Sequence, residues 1–123
     1  MYNETYKSKI FIQTELFQSQ WEKLLFTDHD LRELEFEIGN NSDNHTIIEG
    51  TGGIKKFRFS PSSQKRSKSN AYRIYYLPAG KSDSQYIFLM TIYDKKEIDN
   101  LTKAQRNKLK KVVEILKESL KKK

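Results

Sequence analysis

Three consecutive segments rich in β-forming residues constrain the fold of this chain more than any other feature of its sequence. They are residues 54–59, residues 72–77 and the almost continuously apolar residues 86–93. Aromatic and β-branched side chains favour strands, and the segments are separated by polar stretches that contain Pro, Ser or Gly, which favour turns. We therefore expect these segments to form an antiparallel meander.

Amphipathic helices are predicted on both sides of the meander in the sequence. After a short strand at residues 8–13, Thr14 is expected to cap a first helix. The expected apolar face of that helix comprises Phe17, Trp21, Leu24 and Leu25. Asp30 is expected to cap a second helix, with Glu33 completing a capping box. Its apolar stripe comprises Leu31, Leu34 and Ile38.

A third helix is expected at the end of the chain, where Thr102 and Gln105 have the spacing of a capping box. Leu109, Val112, Val113, Leu116 and Leu120 follow at helical spacing. The predicted order is β-α-α-β-β-β-α, which indicates a small α+β domain with helices on one side of an antiparallel sheet. The 123 residues fit a single domain spanning 1–123.

Several classes of protein are excluded by what the sequence lacks. There is no cysteine, so a disulfide scaffold and a thiol nucleophile are excluded. His29 and His45 have no partner at metal-ligand spacing, and no nucleotide-binding or hydrolase motif occurs, so we expect neither metal nor cofactor. No apolar run is long enough for a transmembrane helix. The N-terminus lacks the apolar stretch of a signal peptide, so we expect a cytoplasmic location and no membrane partner.

The charge of the chain is distributed unevenly. The formal net charge is +7, but residues 1–49 hold 4 bases and 10 acids, whereas residues 50–82 hold 8 bases and no acid. The basic stretch is interleaved with aromatic residues and glycines. This pattern favours a polyanion partner such as nucleic acid, and the alternative is a solvated basic loop.

Three blocks in order carry a resemblance to a known family. They are Gly50-Thr51-Gly52-Gly53-Ile54-Lys55-Lys56-Phe57-Arg58, then Tyr72-Arg73-Ile74-Tyr75-Tyr76, then Ile87-Phe88-Leu89-Met90-Thr91-Ile92-Tyr93-Asp94-Lys95-Lys96-Glu97 followed by Leu101-Thr102. Together they resemble the RelE/HigB family of type II toxins, particularly its HigB-like branch. The resemblance covers residues 47 to about 117.

The resemblance implies a ribosome-dependent mRNA endonuclease. Such a toxin enters the A site of the 30S ribosomal subunit, cuts translated mRNA without a metal ion, and is neutralised by a cognate antitoxin protein. The implied fold is a small antiparallel sheet packed by two N-terminal helices and a C-terminal helix, in agreement with the order of elements predicted from the sequence.

The resemblance also implies a set of basic site residues. Lys56 and Arg58 match the family's Lys-x-Arg, Arg73 matches the arginine of a Tyr-Arg-x-x-Tyr block, and Lys95 and Lys96 match a basic pair. Two positions depart from the pattern. Thr102 stands where RelE has a catalytic tyrosine, and Asp94 stands where glycine is common. Tyr93 is the nearest aromatic substitute for the missing tyrosine.

Cleavage by the 2′-hydroxyl of RNA needs cations, because its transition state carries additional negative charge. We expect Arg73 to bind the phosphate with support from Arg58, because a guanidinium pairs two phosphate oxygens. Lys56 is the candidate general base, with its pKa lowered by neighbouring cations that include Lys55. Lys96 is the candidate partner of the leaving 5′-oxygen. The expected RNA-binding residues are Lys55, Lys65, Arg66, Lys68, Tyr93 and Lys95.

Two other functions remain open at this point. The ParE-like branch shares the fold but inhibits DNA gyrase without cleaving RNA, and it lacks the basic site residues. A generic RNA-binding module would use the basic stretch only to hold phosphates. The presence of Lys56, Arg58 and Arg73 favours cleavage over the gyrase inhibitor.

Overall fold

Strands and helices combine into an α+β fold in the computed structural model, which describes residues 9–64, 67, 70–80, 86–94 and 100–121. Within these residues the strands are β1 (Ile10–Gln13), β2 (Thr46–Ile47), β3 (Lys55–Phe59), β4 (Tyr72–Ala79) and β5 (Tyr86–Tyr93). The helices are α1 (Glu15–Lys23), α2 (Asp28–Asn41) and α3 (Lys103–Lys121), and a 3₁₀ turn, Ser42–Asn44, follows α2. The predicted class and order are confirmed, with β2 as an additional short strand.

The strand order of the sheet is β1-β5-β4-β3-β2. The β3-β4-β5 meander is antiparallel, as predicted. β1 pairs in parallel with β5, with Ile10 opposite Tyr86, so the sheet as a whole is mixed. Parallel neighbours need a long connection, and here α1, α2 and three strands lie between β1 and β5 in the chain.

Helices cover both faces of the sheet, which corrects the expectation that they lie on one side. Along β4, Ile74 and Tyr76 belong to the core that includes α1 and α2, whereas Tyr75 and Leu77 belong to the core that includes α3. All four side chains are fully buried. Strands that are apolar on both faces need a cover on each face to exclude water. We call the two sides of the sheet the α2 face and the α3 face.

Threonine N-caps define the start of the helices. Thr14 accepts a hydrogen bond from the backbone N–H of Phe17, and Thr102 and Gln105 form a reciprocal capping box, both as predicted. The N-cap of α2 is Thr27, and Asp30 is the third residue of the helix. The backbone N–H of Thr27 donates to the carboxylate of Asp30, and the backbone N–H of Asp30 donates to the hydroxyl of Thr27, which forms a capping box. The expectation that Asp30 is itself the N-cap was therefore wrong.

The expectation that Leu25 belongs to the apolar face of α1 was also wrong. That helix ends at Lys23, and Leu25 is 86% exposed.

The turn between β2 and β3 attaches α3 to the sheet. The Thr51 hydroxyl donates to the carbonyl of Ile48 over 2.7 Å and closes the turn. The carbonyl of Gly52 accepts a hydrogen bond of 2.7 Å from Lys117 on α3. Gly52 has a φ of 82°, and an added Cβ there would lie 3.1 Å from Val113 Cγ1. The glycine therefore permits both the turn and the close approach of α3.

Candidate functional site

The registers of β3, β4 and β5 bring several predicted site residues together on the α3 face. Arg58 lies directly opposite Arg73, and Arg73 lies opposite Tyr93. Residues that are directly opposite in an antiparallel pair share a face. Lys56 precedes Arg58 by two residues on the same strand, so it points to the same side. We call Lys56, Arg58 and Arg73 the basic cluster.

Lys56 lines a cavity between the edge of the sheet and the beginning of α3. Its Nζ donates a hydrogen bond of 3.2 Å to Asn100 Oδ1. The cavity has a volume of about 280 Å³. Its lining includes Ile47, Ile48, Lys56, Asn100, Leu101 and Arg106. A second cation, Arg106, is thus close to the basic cluster although it is fifty positions further along the chain.

Arg73 is the buried member of the basic cluster. It is 3% exposed, and its Nη1 donates a hydrogen bond of 2.7 Å to the carbonyl of Ala71. A phosphate arriving from solvent therefore has almost no access to this guanidinium in the observed conformation. The buried side chain contributes positive charge beneath the surface that Lys56 and Arg58 form.

Arg58 is the exposed arginine of the basic cluster. β2 pairs only with Lys55 and Lys56, so β3 is an edge strand at Arg58. Arg58 also lines a depression of about 710 Å³ on the α2 side, where several carboxylates of α2 lie. Those carboxylates belong to Glu33, Glu35 and Glu37. Arg58 is thus accessible to a ligand at the sheet edge, between a basic and an acidic surface.

Lys55 is not part of the basic cluster. Neighbouring residues of a strand point to opposite faces, and Lys55 lies opposite Tyr76 on the α2 face. Its Nζ donates hydrogen bonds to the carbonyl and the hydroxyl of Ser42, at 2.8 and 3.3 Å. The structure therefore separates Lys55 from Lys56, with which the sequence analysis had grouped it.

A polar network that the sequence analysis missed lies on the α2 face. His45 Nδ1 is 2.6 Å from the hydroxyl of Tyr76, and His45 Nε2 is 3.2 Å from a carboxylate oxygen of Glu37. The Tyr76 hydroxyl also bonds to Ser42 Oγ at 3.1 Å, which connects the network to Lys55. Glu37, Ser42 and His45 lie at or just after the end of α2, whereas Lys55 and Tyr76 come from β3 and β4, so the network depends on how these elements pack.

Burial sets the protonation behaviour of this network. It lowers the pKa of His45, and the hydrogen bond and charge of Glu37 oppose that shift in part. Burial also raises the pKa of Tyr76 to about 12. The His45 ring stacks on Phe57, with ring centroids 4.3 Å apart. The imidazole therefore packs as an aromatic ring on Phe57, on the side of β3 opposite to Lys56.

Two further residues from the sequence prediction, Tyr93 and Thr102, lie in the described part of the chain. Tyr93 is half-buried, and its ring centroid lies 6.2 Å from that of Tyr75. Thr102 is the N-cap of α3, so it has a structural role. Five predicted residues lie outside the described part of the chain: Lys65, Arg66, Lys68, Lys95 and Lys96.

The described residues also limit other kinds of site. Among them, no group of three or more His, Cys, Asp or Glu side chains is arranged to hold a metal ion. None of the helices in the described ranges combines the length and the apolar character needed to cross a bilayer. No model of a known protein family matches the chain. Lys56, Arg58 and Arg73 have basic side chains with N–H donors, and the chemistry that such groups offer is the binding of an anion.

Proposed function

We propose that this protein is a toxin of the RelE/HigB type, an endoribonuclease that cuts translated mRNA in the ribosomal A site. The observation that carries the proposal is the direct register of Arg58 with Arg73, with Lys56 on the same face. Two guanidinium groups on neighbouring strands, with a lysine on the same face, suit the binding of a polyanion. Residues 50–82 hold eight bases and no acid, so this part of the chain contributes only positive charge to the surroundings of the basic cluster.

In the proposed reaction the RNA supplies the nucleophile. The 2′-oxygen forms a bond to the adjacent phosphorus while the bond from phosphorus to the 5′-oxygen of the next nucleotide breaks. The products are a 2′,3′-cyclic phosphate and a 5′-hydroxyl. A base accepts the proton of the 2′-hydroxyl, and an acid supplies a proton to the 5′-oxygen. The five-coordinate transition state carries extra negative charge, which cations fixed in advance stabilise.

The positions of the arginines suggest a division of roles within this proposal. Arg58 is exposed and suits direct contact with the phosphate through its planar fork. Arg73 is buried and suits a supporting role through its charge, which reverses the roles that guanidinium chemistry led us to expect for the two arginines. Lys56 remains the candidate general base. In this role its side chain is a neutral amine when RNA binds, and it accepts the proton of the 2′-hydroxyl. Lys96 remains the candidate proton donor to the 5′-oxygen.

The proposal includes three partners. The ribosomal A site and its mRNA would be held through phosphates, a mode of binding that weakens steeply with salt. Lys65, Arg66 and Lys68 would contribute to the grip on ribosomal RNA, and Tyr93 and Lys95 would also contact RNA. A cognate antitoxin would neutralise the toxin. A ribosomal target places the protein in the cytoplasm.

Primer extension on an mRNA in a bacterial translating extract tests the proposal. Arg58→Gln should reduce cutting by about 10²–10³-fold, the usual effect of removing one group that stabilises developing negative charge. The matched control is Lys23→Gln, which removes the same charge from an exposed residue at the end of α1. Equal cutting by the two variants would disprove the assigned site. Equally fast cutting of naked RNA would disprove the ribosome requirement.

Arg73→Ala is a second variant, and it should also abolish cutting and growth inhibition. Because Arg73 is buried, this variant needs a denaturation curve that confirms folding at the assay temperature. Wild-type cutting by a folded Arg73→Ala protein would remove Arg73 from the site.

A non-catalytic RNA-binding module is the second candidate function, and the burial of Arg73 favours it. Such a module would bind RNA with the same salt dependence but produce no cleavage ends in the extract. Inhibition of DNA supercoiling by gyrase, without cleavage of RNA, would instead identify the ParE-like alternative.

A further inference from the structure

The cavity beside Lys56 contains a cation for which the proposed cleavage reaction has no role. We propose that this cavity binds one nucleotide of the RNA, with Arg106 and Lys56 holding its phosphate and an apolar wall contacting its base. The inference deepens the proposed function, on which it rests, by assigning a nucleotide subsite next to the basic cluster. Arg106 then belongs to the RNA-binding residues although no sequence pattern selects it.

Three separate parts of the fold converge on this cavity. Lys56 comes from β3, Asn100 precedes α3, and Arg106 lies in the first turns of α3. The hydrogen bond between Lys56 Nζ and Asn100 Oδ1 joins the first two over 3.2 Å. The backbone N–H of Arg106 donates to the carbonyl of the N-cap Thr102 over 2.9 Å, which fixes the start of the helix. The site is thus built from regular elements on two sides.

The charge of the cavity suits a phosphate. Of the described residues that line it, two are cationic and none is acidic. The positive end of the α3 macrodipole lies close by. The first turn of α3 contains no acidic residue, although α1 and α2 have Glu15, Asp28 and Asp30 at the equivalent place. The potential at the start of α3 is therefore left unneutralised by its own helix.

The geometry of the donors also suits a phosphate. A lysine has three N–H donors as an ammonium and two as a neutral amine, so Lys56 retains at least one donor after its bond to Asn100. Arginine presents a planar fork that can pair two phosphate oxygens. Arg106 is half-buried rather than free in solvent, which lowers the entropy lost when its side chain is held. In contrast to Arg73, both cations have exposed surface.

The apolar part of the lining suits a nucleobase. Ile48 and Leu101 are half-buried, and Ile47 is 62% exposed. An exposed isoleucine at the rim gains from covering its surface with a flat aromatic ligand. The volume of about 280 Å³ is near the lower limit of small-molecule pockets, roughly 300–1,000 Å³. A cavity of this size can hold a single nucleotide but not two or more successive nucleotides of an RNA strand.

Titration of the purified protein with adenosine 3′-monophosphate, followed by amide chemical shifts, tests the subsite without a ribosome. We expect shift changes confined to residues 46–48, 56 and 100–106. Arg106→Gln should weaken binding about tenfold or more, the effect of losing a charge-assisted hydrogen bond. The affinity of Arg106→Lys should lie between those of the wild type and Arg106→Gln, because lysine keeps the positive charge but lacks the planar fork of arginine. Lys110→Gln, an exposed position of α3 outside the cavity, should bind as the wild type does.

Adenosine and inorganic phosphate serve as the two component probes, and each should bind at least threefold more weakly than the nucleotide. Adenosine binding as tightly as the nucleotide would overturn the role of Arg106 and Lys56 in holding phosphate. Phosphate binding as tightly as the nucleotide would overturn the base contact. Shift changes elsewhere on the sheet, or equal binding by Arg106→Gln and Lys110→Gln, would overturn the subsite itself.

This test is independent of the cleavage assay. If wild-type protein cuts mRNA but the nucleotide leaves the cavity residues unshifted, the subsite is wrong and the proposed function stands. If the nucleotide binds in the cavity and requires Arg106 but no mRNA is cut, the subsite stands and the proposed cleavage is wrong.

Discussion

The packing of Gly52 against α3 leads to a prediction that separates backbone strain from steric contact. Gly50 and Gly52 lie in the same turn and have nearly equal positive φ angles, 79° and 82°. A Cβ added at Gly50 would meet no heavy atom within 4 Å, whereas one added at Gly52 would lie 3.1 Å from Val113 Cγ1. Gly50→Ala is therefore a matched control for Gly52→Ala.

The magnitudes follow from these two contributions. The left-handed conformation costs an L-residue about 1–2 kcal/mol, and both variants carry this cost. Gly52→Ala also overpacks the contact with Val113, which adds about 1–3 kcal/mol. Val113 is 1% exposed and β-branched, so it has little freedom to move aside. We expect the free energy of unfolding to fall by about 1–2 kcal/mol for Gly50→Ala and by about 2–5 kcal/mol for Gly52→Ala.

Urea denaturation of the two variants, in the wild-type and Val113→Ala backgrounds, measures the contact directly. Removing Cγ1 should relieve the overpacking, so in that background Gly52→Ala should cost no more than Gly50→Ala. The difference between backgrounds is the coupling energy of the pair. Equal costs for the two alanines in the wild type, or a Gly52→Ala cost that is the same in both backgrounds, would refute the steric argument.

Two further predictions concern stability. Burial lowers the pKa of His45 below its ordinary value of 6.5, so as the pH falls the unfolded chain binds a proton at this histidine before the folded protein does. The stability that comes from burying the neutral imidazole is therefore fully present above pH 6.5 and is lost progressively below it. Between pH 7.5 and pH 5 the urea midpoint should fall less for His45→Gln than for the control His29→Gln, which replaces a side chain that is 72% exposed. An equal fall in the two variants would contradict this reasoning. Leu25 has a φ of 58° and is 86% exposed, so Leu25→Gly should raise the free energy of unfolding by about 1 kcal/mol, whereas a similar gain for Leu25→Ala would show that the backbone is not its source.

The elements of the fold could be predicted because their causes are local. Thr14 and Thr102 were identified as caps from the residues that immediately follow them, and both caps are confirmed. The cap at Thr27 was missed because Asp30 also suits an N-cap, and only the structure shows that its carboxylate bonds back to Thr27. The parallel pairing of β1 has no local cause, since it joins residues more than seventy positions apart.

The place of α3 on the opposite face of the sheet follows from the apolar pattern of the central strand. Residues 86–93 are apolar at almost every position, and such a run is typical of a strand that is buried on both faces. A sheet with two apolar faces needs helices on both sides. The same pattern thus indicates a helix on each face, in contrast to the expectation of helices on one side.

The candidate site was predictable to the extent that strand periodicity determines it. The two-residue period of β3 places Lys56 and Arg58 together and excludes Lys55, and this follows from the amino-acid sequence alone. The burial of Arg73 and the approach of Arg106 do not, because both depend on how α3 and the segment before it pack on the sheet.

The division of charge between the two faces gives the proposed RNA partner one preferred direction of approach. α3 carries seven basic and two acidic residues, whereas α1 and α2 together carry two basic and seven acidic residues, with histidine counted as neutral. These helices lie on opposite faces, so the helices on the two sides of the sheet bear net charges of opposite sign. A polyanion is repelled by the α2 face and attracted to the α3 face, and the effect acts over roughly 8–10 Å at moderate ionic strength. The face that attracts it carries the basic cluster and the cavity of Arg106, so the charge division favours an encounter in the orientation that the proposed reaction needs.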